Sequence, residues 1–421
     1  MIEVTVDPDP SPADVVPVIR VRGLDPDASS TVVIDLTDAA GNAWRSSTEM
    51  RTDADGAIDT STLADPSRPW WDMAFAEPKL LPVAFRAPAD SLTATVTVAA
   101  HGGRGSCTSS RVWAGSRRIW TSSGTGYRLT VVFPHGDGPF PAVLVVPGVD
   151  GPDAAHPLAG LLAAHGYVAG IVTYIEADLL PDALEEVPVE AFARAIADLA
   201  ARPEVAADRV AIHASSVATG GVLLMLATAN APDVLAVVAV APTSVVWQAR
   251  PSHGAPPEKS SWTLAGSPLP WVATDVRKLL RQLLGRGVID RLRRERRPRV
   301  LRMLPAYASG LQHADRRPEV SIPVKQVHAP LLLISGTDDQ MWPSSQMAAA
   351  IADRRQRADD RLVELVGAGH LVGPPVVPTT VAWSANLVLG GTAEAIASGN
   401  ARAWAETLDF LSTHLDVKAP A

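Results

Sequence analysis

Three residues in this chain have the types, order and surroundings of a nucleophile, an acid and a base. Ser216 stands in HASSVATGG, residues 213–221, directly after DRVAI, with Ala214 and Ala218 two positions to either side. A serine hydroxyl is a weak nucleophile until a base takes its proton, and a sharp strand-to-helix turn presents it to one. Small flanking residues let strand and helix pack closely around such a turn. Asp339 closes a G-x-x-D turn in SGTDDQMWP, after the apolar run Leu331–Ser335, and His370 lies in the glycine-flanked GAGHLVGPP. An imidazole can carry the serine proton, and an aspartate can fix its tautomer and stabilise the imidazolium. The order Ser…Asp…His therefore predicts a serine hydrolase relay of Ser216, His370 and Asp339.

Each residue also has a plainer reading: a serine in a small-residue turn, a turn aspartate or helix cap, a loop histidine. Three such elements in the right order on one inferred sheet outweigh those readings taken singly. Of the neighbours, Ser215 has His213 and Val217 at its flanking positions, both too bulky for the turn. Asp338 falls one residue early in the G-x-x-D spacing and is expected to orient that turn, while His213 is read as structural. An oxyanion hole is expected from the backbone N–H of Val217 and one N–H of Pro147-Gly148-Val149-Asp150-Gly151. Val149 is the chosen donor and Asp150 the next, and the sequence does not separate them.

The elements that must position these residues change in kind along the chain. VVPVIRVRGL, STVVIDLTD and the alternating SLTATVTVAA read as short strands separated by Gly, Asp and Pro, which suggests a small β-sandwich. HGGRGSCTSS, residues 101–110, fits neither helix nor strand and reads as the start of a linker. From about residue 111, LTVVFP and FPAVLVVPG read as strands, AAHPLAGLLAAHG as a helix, YVAGIVTY as a strand and about 189–201 as a helix, before DRVAIHAS. That alternation predicts βαβ units in a mostly parallel, doubly wound sheet of the α/β-hydrolase type. The expected organisation is residues 1–110 as the β-sandwich and 111–421 as the catalytic domain, with a cap-like insertion at about 250–325.

Composition narrows the function. The chain has 421 residues and a net charge of −8, so nucleic acid is not an expected partner. Cys107 is the only cysteine, which excludes intrachain disulfides and a cysteine-built zinc site. The acidic start MIEVTVDPDPSPADV lacks a basic and then apolar leader, and no uncharged apolar run approaches a membrane span. A soluble cytoplasmic protein is expected, with no metal or redox cofactor.

Nearly end to end, the chain resembles the acyl-CoA thioesterase and bile acid-CoA:amino acid N-acyltransferase family, in its bacterial branch. The resemblance is carried by VIRVRGLDP, PWWDMAFAEP, GDGPFPAVLVVPG, SSWTLAGSPLPWV, SGTDDQMWPS and GAGHLVGPPVVPT. It implies an immunoglobulin-like N-terminal domain on an α/β-hydrolase domain, acyl-CoA or carrier-bound acyl thioesters as substrates, and a triad on Ser216, Asp339 and His370. The elbow departs from the family's G-[IV]-S-[KR]-G-G, reading A-S-S-V-A-T. Amino-acid-conjugating members characteristically carry cysteine as nucleophile, so serine at 216 favours hydrolysis. The alternatives are transfer to an amine, hydrolysis of an ordinary ester, and a degenerate hydrolase fold that only binds acyl ligands.

One stretch stands apart from the acidic whole. Residues 277–302, RKLLRQLLGRGVIDRLRRERRPRVLR, hold eleven Lys and Arg against two acids. They read either as a solvated helical face or as a docking surface for the phosphates of coenzyme A or an acidic carrier protein.

Overall fold

Val, Ile, Leu and Ala runs of five to seven residues are strands that a sheet can bury on both faces. In this chain five such runs form the middle of one eight-stranded sheet. The computed structural model describes all residues except 78–82, 101–102, 114–118, 149–150, 251–255, 294–299, 315, 385 and 416–421, together with the side chains of 285–293. The sheet strands are β1 (Ile119–Gly124), β2 (Tyr127–Val132), β3 (Phe140–Val146), β4 (Val168–Thr173), β5 (Val205–Ser215), β6 (Ala236–Val240), β7 (Leu331–Gly336) and β8 (Arg361–Leu365). Their order across the sheet is β1-β2-β4-β3-β5-β6-β7-β8. β1 and β2 pair antiparallel with their neighbours, and every pairing from β4 to β8 is parallel.

Parallel neighbours need crossovers, and helices supply them. They are α1 (His156–Ala164), α2 (Glu190–Ala200), α3 (Val217–Leu226), α4 (Val276–Arg293), α5 (Leu304–Ala314), α6 (Ser344–Arg355) and α7 (Ala393–Leu415). Because side chains alternate along a strand, each face of the sheet has its own core. Leu144 and Val146 pack with Phe192 and Leu199 of α2, Val222 and Leu223 of α3 and Met347 of α6. Val143 and Val145 pack with Leu161 and Leu162 of α1 and Phe410 and Leu411 of α7 on the other face. Open α/β sheets bind ligands at the carboxyl ends of their strands. Ser216 follows the end of β5, Asp339 that of β7, and His370 that of β8.

The strands before residue 113 form two smaller sheets. One joins Glu3–Asp7, Val18–Arg22 and Ile58–Asp59. The other joins Ser11–Pro12, Gly103–Val112, Ser91–Ala100, Ser29–Thr37, Ala43–Arg51 and Ala74–Phe75. Val32, Ile34, Trp44, Val96 and Val98 from the larger sheet close on Val4, Ile19 and Val21 of the smaller. The strict alternation in 91–100 is a strand as expected. The reading of 101–110 as the start of a linker is corrected: Gly103–Val112 pairs residue for residue with Ser91–Ala100. Its Gly and Ser content carries no strand propensity, yet contact with the N-terminus demands small residues. A Cβ on Gly105 would stand 2.6 Å from Ile2 Cγ2 and 2.9 Å from Ile2 O.

This β unit also grips the chain beyond His370. Val376 packs in the core of the small sheets. The buried Arg111 guanidinium donates to the carbonyls of Val376 and Ala13 and lies over Trp70. Thr379 N–H donates to Trp71 O at 3.1 Å. Between β6 and β7, Trp262–Leu264 and Ser267–Pro268 join Val187–Pro188 in a small sheet, and α4 and α5 follow. Among the described residues no helix is long and apolar enough to cross a membrane.

Candidate active site

Ser216 caps α3 with φ 55° and ψ −133°, a conformation that costs a non-glycine residue about 1–3 kcal/mol. Surrounding bonds hold it there. Its N–H donates to Val240 O at the end of β6 (2.8 Å), and its carbonyl accepts from Thr219 Oγ1 at 2.7 Å. Thr219 Oγ1 in turn accepts from Thr243 N at 3.1 Å. Ala214 and Ala218 are fully buried beside the turn, so methyl groups at both positions fit the elbow.

The loops after β7 and β8 are stitched together by backbone. Asp338 N donates to Ala368 O at 2.9 Å and His370 N to Leu389 O at 2.8 Å. The approach is so close that a Cβ on Gly369 would lie 2.1 Å from Gly390 O, which explains the glycine before His370. Asp338 accepts from Gly391 N at 2.9 Å and from Gln340 Nε2 at 2.6 Å, so it orients these loops, as expected.

The three candidates converge. His370 Nε2 lies 3.0 Å from Ser216 Oγ, and His370 Nδ1 lies 2.8 Å from Asp339 Oδ2. Asp339 is buried, and its Oδ1 accepts from Met341 N (2.8 Å) and Trp342 N (3.2 Å). A carboxylate only accepts, so the proton between Asp339 and the ring belongs to Nδ1. Nε2 is then left to accept from the Ser216 hydroxyl. The Trp342 ring meets His370 edge to face at 5.5 Å and limits the ring's motion.

The competing residues are engaged elsewhere. Ser215 Oγ accepts from Gly148 N at 3.1 Å, tying the Pro147–Gly148 loop to the elbow, and Tyr174 Oη donates to Pro147 O at 3.0 Å from behind. Val217 opens α3, where first-turn N–H groups lack intrahelical acceptors, and it lines the same cleft as Ser216 and His370. Val149 and Asp150 lie outside the described residues. So do the side chains of the basic stretch from 285 to 299. Arg277, at its start, is 86% exposed. Among the described residues no group of three His, Cys, Asp or Glu could hold a metal ion.

His213, three residues before Ser216, is buried, and burial lowers its pKa from 6.5 to about 4. Above pH 6.5 it is neutral whether folded or unfolded. Between pH 6.5 and 4 the unfolded chain takes up a proton that the folded chain refuses, so stability falls as pH falls. The shift corresponds to about 3 kcal/mol in full and about 2 kcal/mol by pH 5. Denaturant unfolding at pH 7.5 and 5 should show that loss, and His213→Leu should reduce it by most of that amount.

A cleft of about 380 Å³, open mouth included, lies over Ser216 and His370. Its walls are Leu184, Trp247, Gln248, Arg250, Ser261, Tyr307, Met341 and Trp342. Sequence reading missed this lining, for its members come from segments far apart in the chain. The only signal was the tryptophan-containing stretches themselves.

A mostly parallel sheet in this order, with a strained serine after its fifth strand, defines an α/β hydrolase. The BAAT / acyl-CoA thioester hydrolase C-terminal family model matches residues 187–417, more than half of the chain, and the chain belongs to that family. It is 24% identical over 430 residues to the peroxisomal succinyl-coenzyme A thioesterase of Mus musculus, across 94% of this chain and 93% of that protein. It is 25% identical over 296 residues to the bile acid-CoA:amino acid N-acyltransferase of Mus musculus, across 68% of this chain and 63% of that one. Among solved structures, the α/β hydrolase GrgF from Penicillium sp. sh18 aligns at TM-score 0.43 and 16% identity, covering 72% of this chain and 100% of that one.

Proposed function

We propose that this protein hydrolyses acyl thioesters, acyl-CoA first among them, through an acyl-enzyme on Ser216. The observation that carries the reading is the unbroken relay Asp339–His370–Ser216, with contacts of 2.8 and 3.0 Å. His370 Nε2 takes the hydroxyl proton as Ser216 Oγ bonds to the thioester carbonyl carbon. The Val217 N–H faces the developing oxyanion, with a second donor from the Pro147–Gly151 loop, where Val149 is our choice. As the carbon–sulfur bond breaks, His370 returns the proton to the leaving thiolate. Water then gives a proton to His370 as it attacks the ester, and His370 passes that proton to Ser216 Oγ as the acid leaves.

The same reading divides the chain into a β domain, residues 1–110, and a catalytic domain, 111–421. The strand ending at Val112 supports moving that border by two residues. Membership of a family that includes thioesterases and N-acyltransferases leaves two fates for the acyl group. A serine ester is a poorer donor to amines than a cysteine thioester, and a His370-activated water competes well. Mass spectrometry of products formed from acyl-CoA with a large excess of glycine or taurine should find free acid as the main product. Amide as the main product would overturn hydrolysis in favour of transfer. Binding of acyl-CoA with neither product nor thiol release would make the protein an acyl-ligand binder.

A further inference from the structure

The grip of the β unit on the chain after His370 brings two costly features together. Arg111, on the strand Gly103–Val112, is 1% exposed, and its guanidinium is spent on backbone carbonyls: Val376, Ala13 and, at 3.4 Å, Val15. Burial lowers its pKa to about 10, so the group is still a cation at neutral pH. Burying a cation costs free energy that only well-placed acceptors recover. Val376, which supplies one of those acceptors, has φ 56°. Few residues other than glycine adopt that conformation, and a β-branched one least of all. Such strain persists only where the surroundings over-determine it. Here the surroundings belong to the β unit: the Val376 side chain is buried in the core of the small sheets, and Arg111 takes its carbonyl.

Val376 comes six positions after His370, and the stretch between them is stiff. Pro374 and Pro375 have φ fixed by their rings. Asn400 of α7, itself buried, accepts from Gly373 N at 3.1 Å and donates to Pro374 O at 3.4 Å. Beyond Val376, Thr379 N reaches Trp71 O at 3.1 Å, and Thr379 Oγ1 donates to Ala393 O at 2.8 Å. The segment is thus suspended between α7 and the β unit. His370 stands at its near end, where the imidazole must stay 3.0 Å from Ser216 Oγ. Among the described residues, none from 1–112 lines the cleft, so an influence of the β unit travels through this backbone and not through the substrate.

We propose, on the reading of Ser216, His370 and Asp339 as a hydrolytic relay, that Arg111 is a positioning residue of the reaction. By holding the carbonyl of the strained Val376 it fixes the far end of the His370 segment and keeps the imidazole in reach of the serine. The β unit is then a working part of the relay, acting on the rate of bond formation and not on substrate affinity.

Arg111→Met should lower kcat for acyl-CoA by about 10- to 100-fold, the size a misplacement of about 1 Å produces, while KM changes little. Labelling of Ser216 by a fluorophosphonate should slow by a similar factor, since it needs the same proton transfer. The assays are run well below the variant's Tm, so that loss of folded protein does not imitate loss of kcat. Arg111→Lys keeps the charge without the fork and should recover part of the rate. Val376→Gly releases the strain and the side-chain anchor with Arg111 still in place, and should lower kcat with KM again little changed. Because both residues act through one link, the double variant should lose little more than either single variant. The proposal is overturned by a folded Arg111→Met protein with wild-type kcat, by a change in KM alone, or by losses that multiply in the double variant. Should Arg111→Met fail to fold, Val376→Gly decides: a loss in kcat supports the proposal and a wild-type kcat overturns it. Failure of the relay itself looks different, because the wild-type protein would then go unlabelled at Ser216 or His370→Ala would keep full activity.

Discussion

Replacing Ser216 with alanine is expected to lower kcat by roughly 10⁴-fold or more while leaving acyl-CoA binding close to wild type. The expectation follows from what the hydroxyl alone supplies. Ser216 Oγ is the hydroxyl oxygen 3.0 Å from His370 Nε2, whereas Ser215 Oγ is held by Gly148 N–H. Alanine removes the bond-forming atom and keeps the elbow, since the bonds to Val240 O and from Thr219 belong to the backbone of residue 216. The residual rate would come from the oxyanion donors and from binding. Ser215→Ala is the control in register and should cost far less. A reversal of the two, with Ser215→Ala abolishing turnover, would move the nucleophile by one residue.

The second large effect is expected at Asp339→Asn, with a fall in kcat of about 10⁴-fold, the size a wrongly held histidine tautomer produces in a serine relay. The surroundings dictate how the new amide turns. Met341 N and Trp342 N both donate to Oδ1, so the asparagine carbonyl must stay there and its NH₂ must face His370 Nδ1. An N–H pointed at Nδ1 leaves that nitrogen unprotonated and moves the ring proton to Nε2. Nε2 then donates where it should accept, and the Ser216 proton has no base. Because the fold and the cleft are untouched, KM should change little, and thermal stability should stay near wild type. A variant that instead unfolds would show Asp339 acting chiefly as a structural anchor for the 339–342 turn.

The relay was legible because its parts are local. A serine after an apolar strand, a G-x-x-D turn after another and a glycine-framed histidine each carry their geometry in a few residues. Their order then selects one sheet topology. The alanine-flanked elbow looked like a departure, yet Ala214 and Ala218 are buried without displacing Ser216. Gly103–Val112 was misread because its pairing is set by Ser91–Ala100 and the N-terminus, not by its own composition. The cleft lining was invisible for a related reason. Leu184, Arg250, Tyr307 and Trp342 come from segments far apart in sequence and meet only in the folded chain. The grip of the β unit on Val376 likewise depends on Arg111, whose burial no local pattern announces.

The central claim is a covalent acyl-enzyme on one serine, and trapping that species tests it most directly. The wild-type protein, treated with a fluorophosphonate and digested, should yield one stoichiometric adduct whose fragment masses place it on Ser216, with acyl-CoA slowing its formation. Denatured protein and the Asp339→Asn variant should label far more slowly, since activation depends on the relay. An adduct on Ser215 or elsewhere, or thioester hydrolysis that continues unchanged with Ser216 fully labelled, would contradict the account.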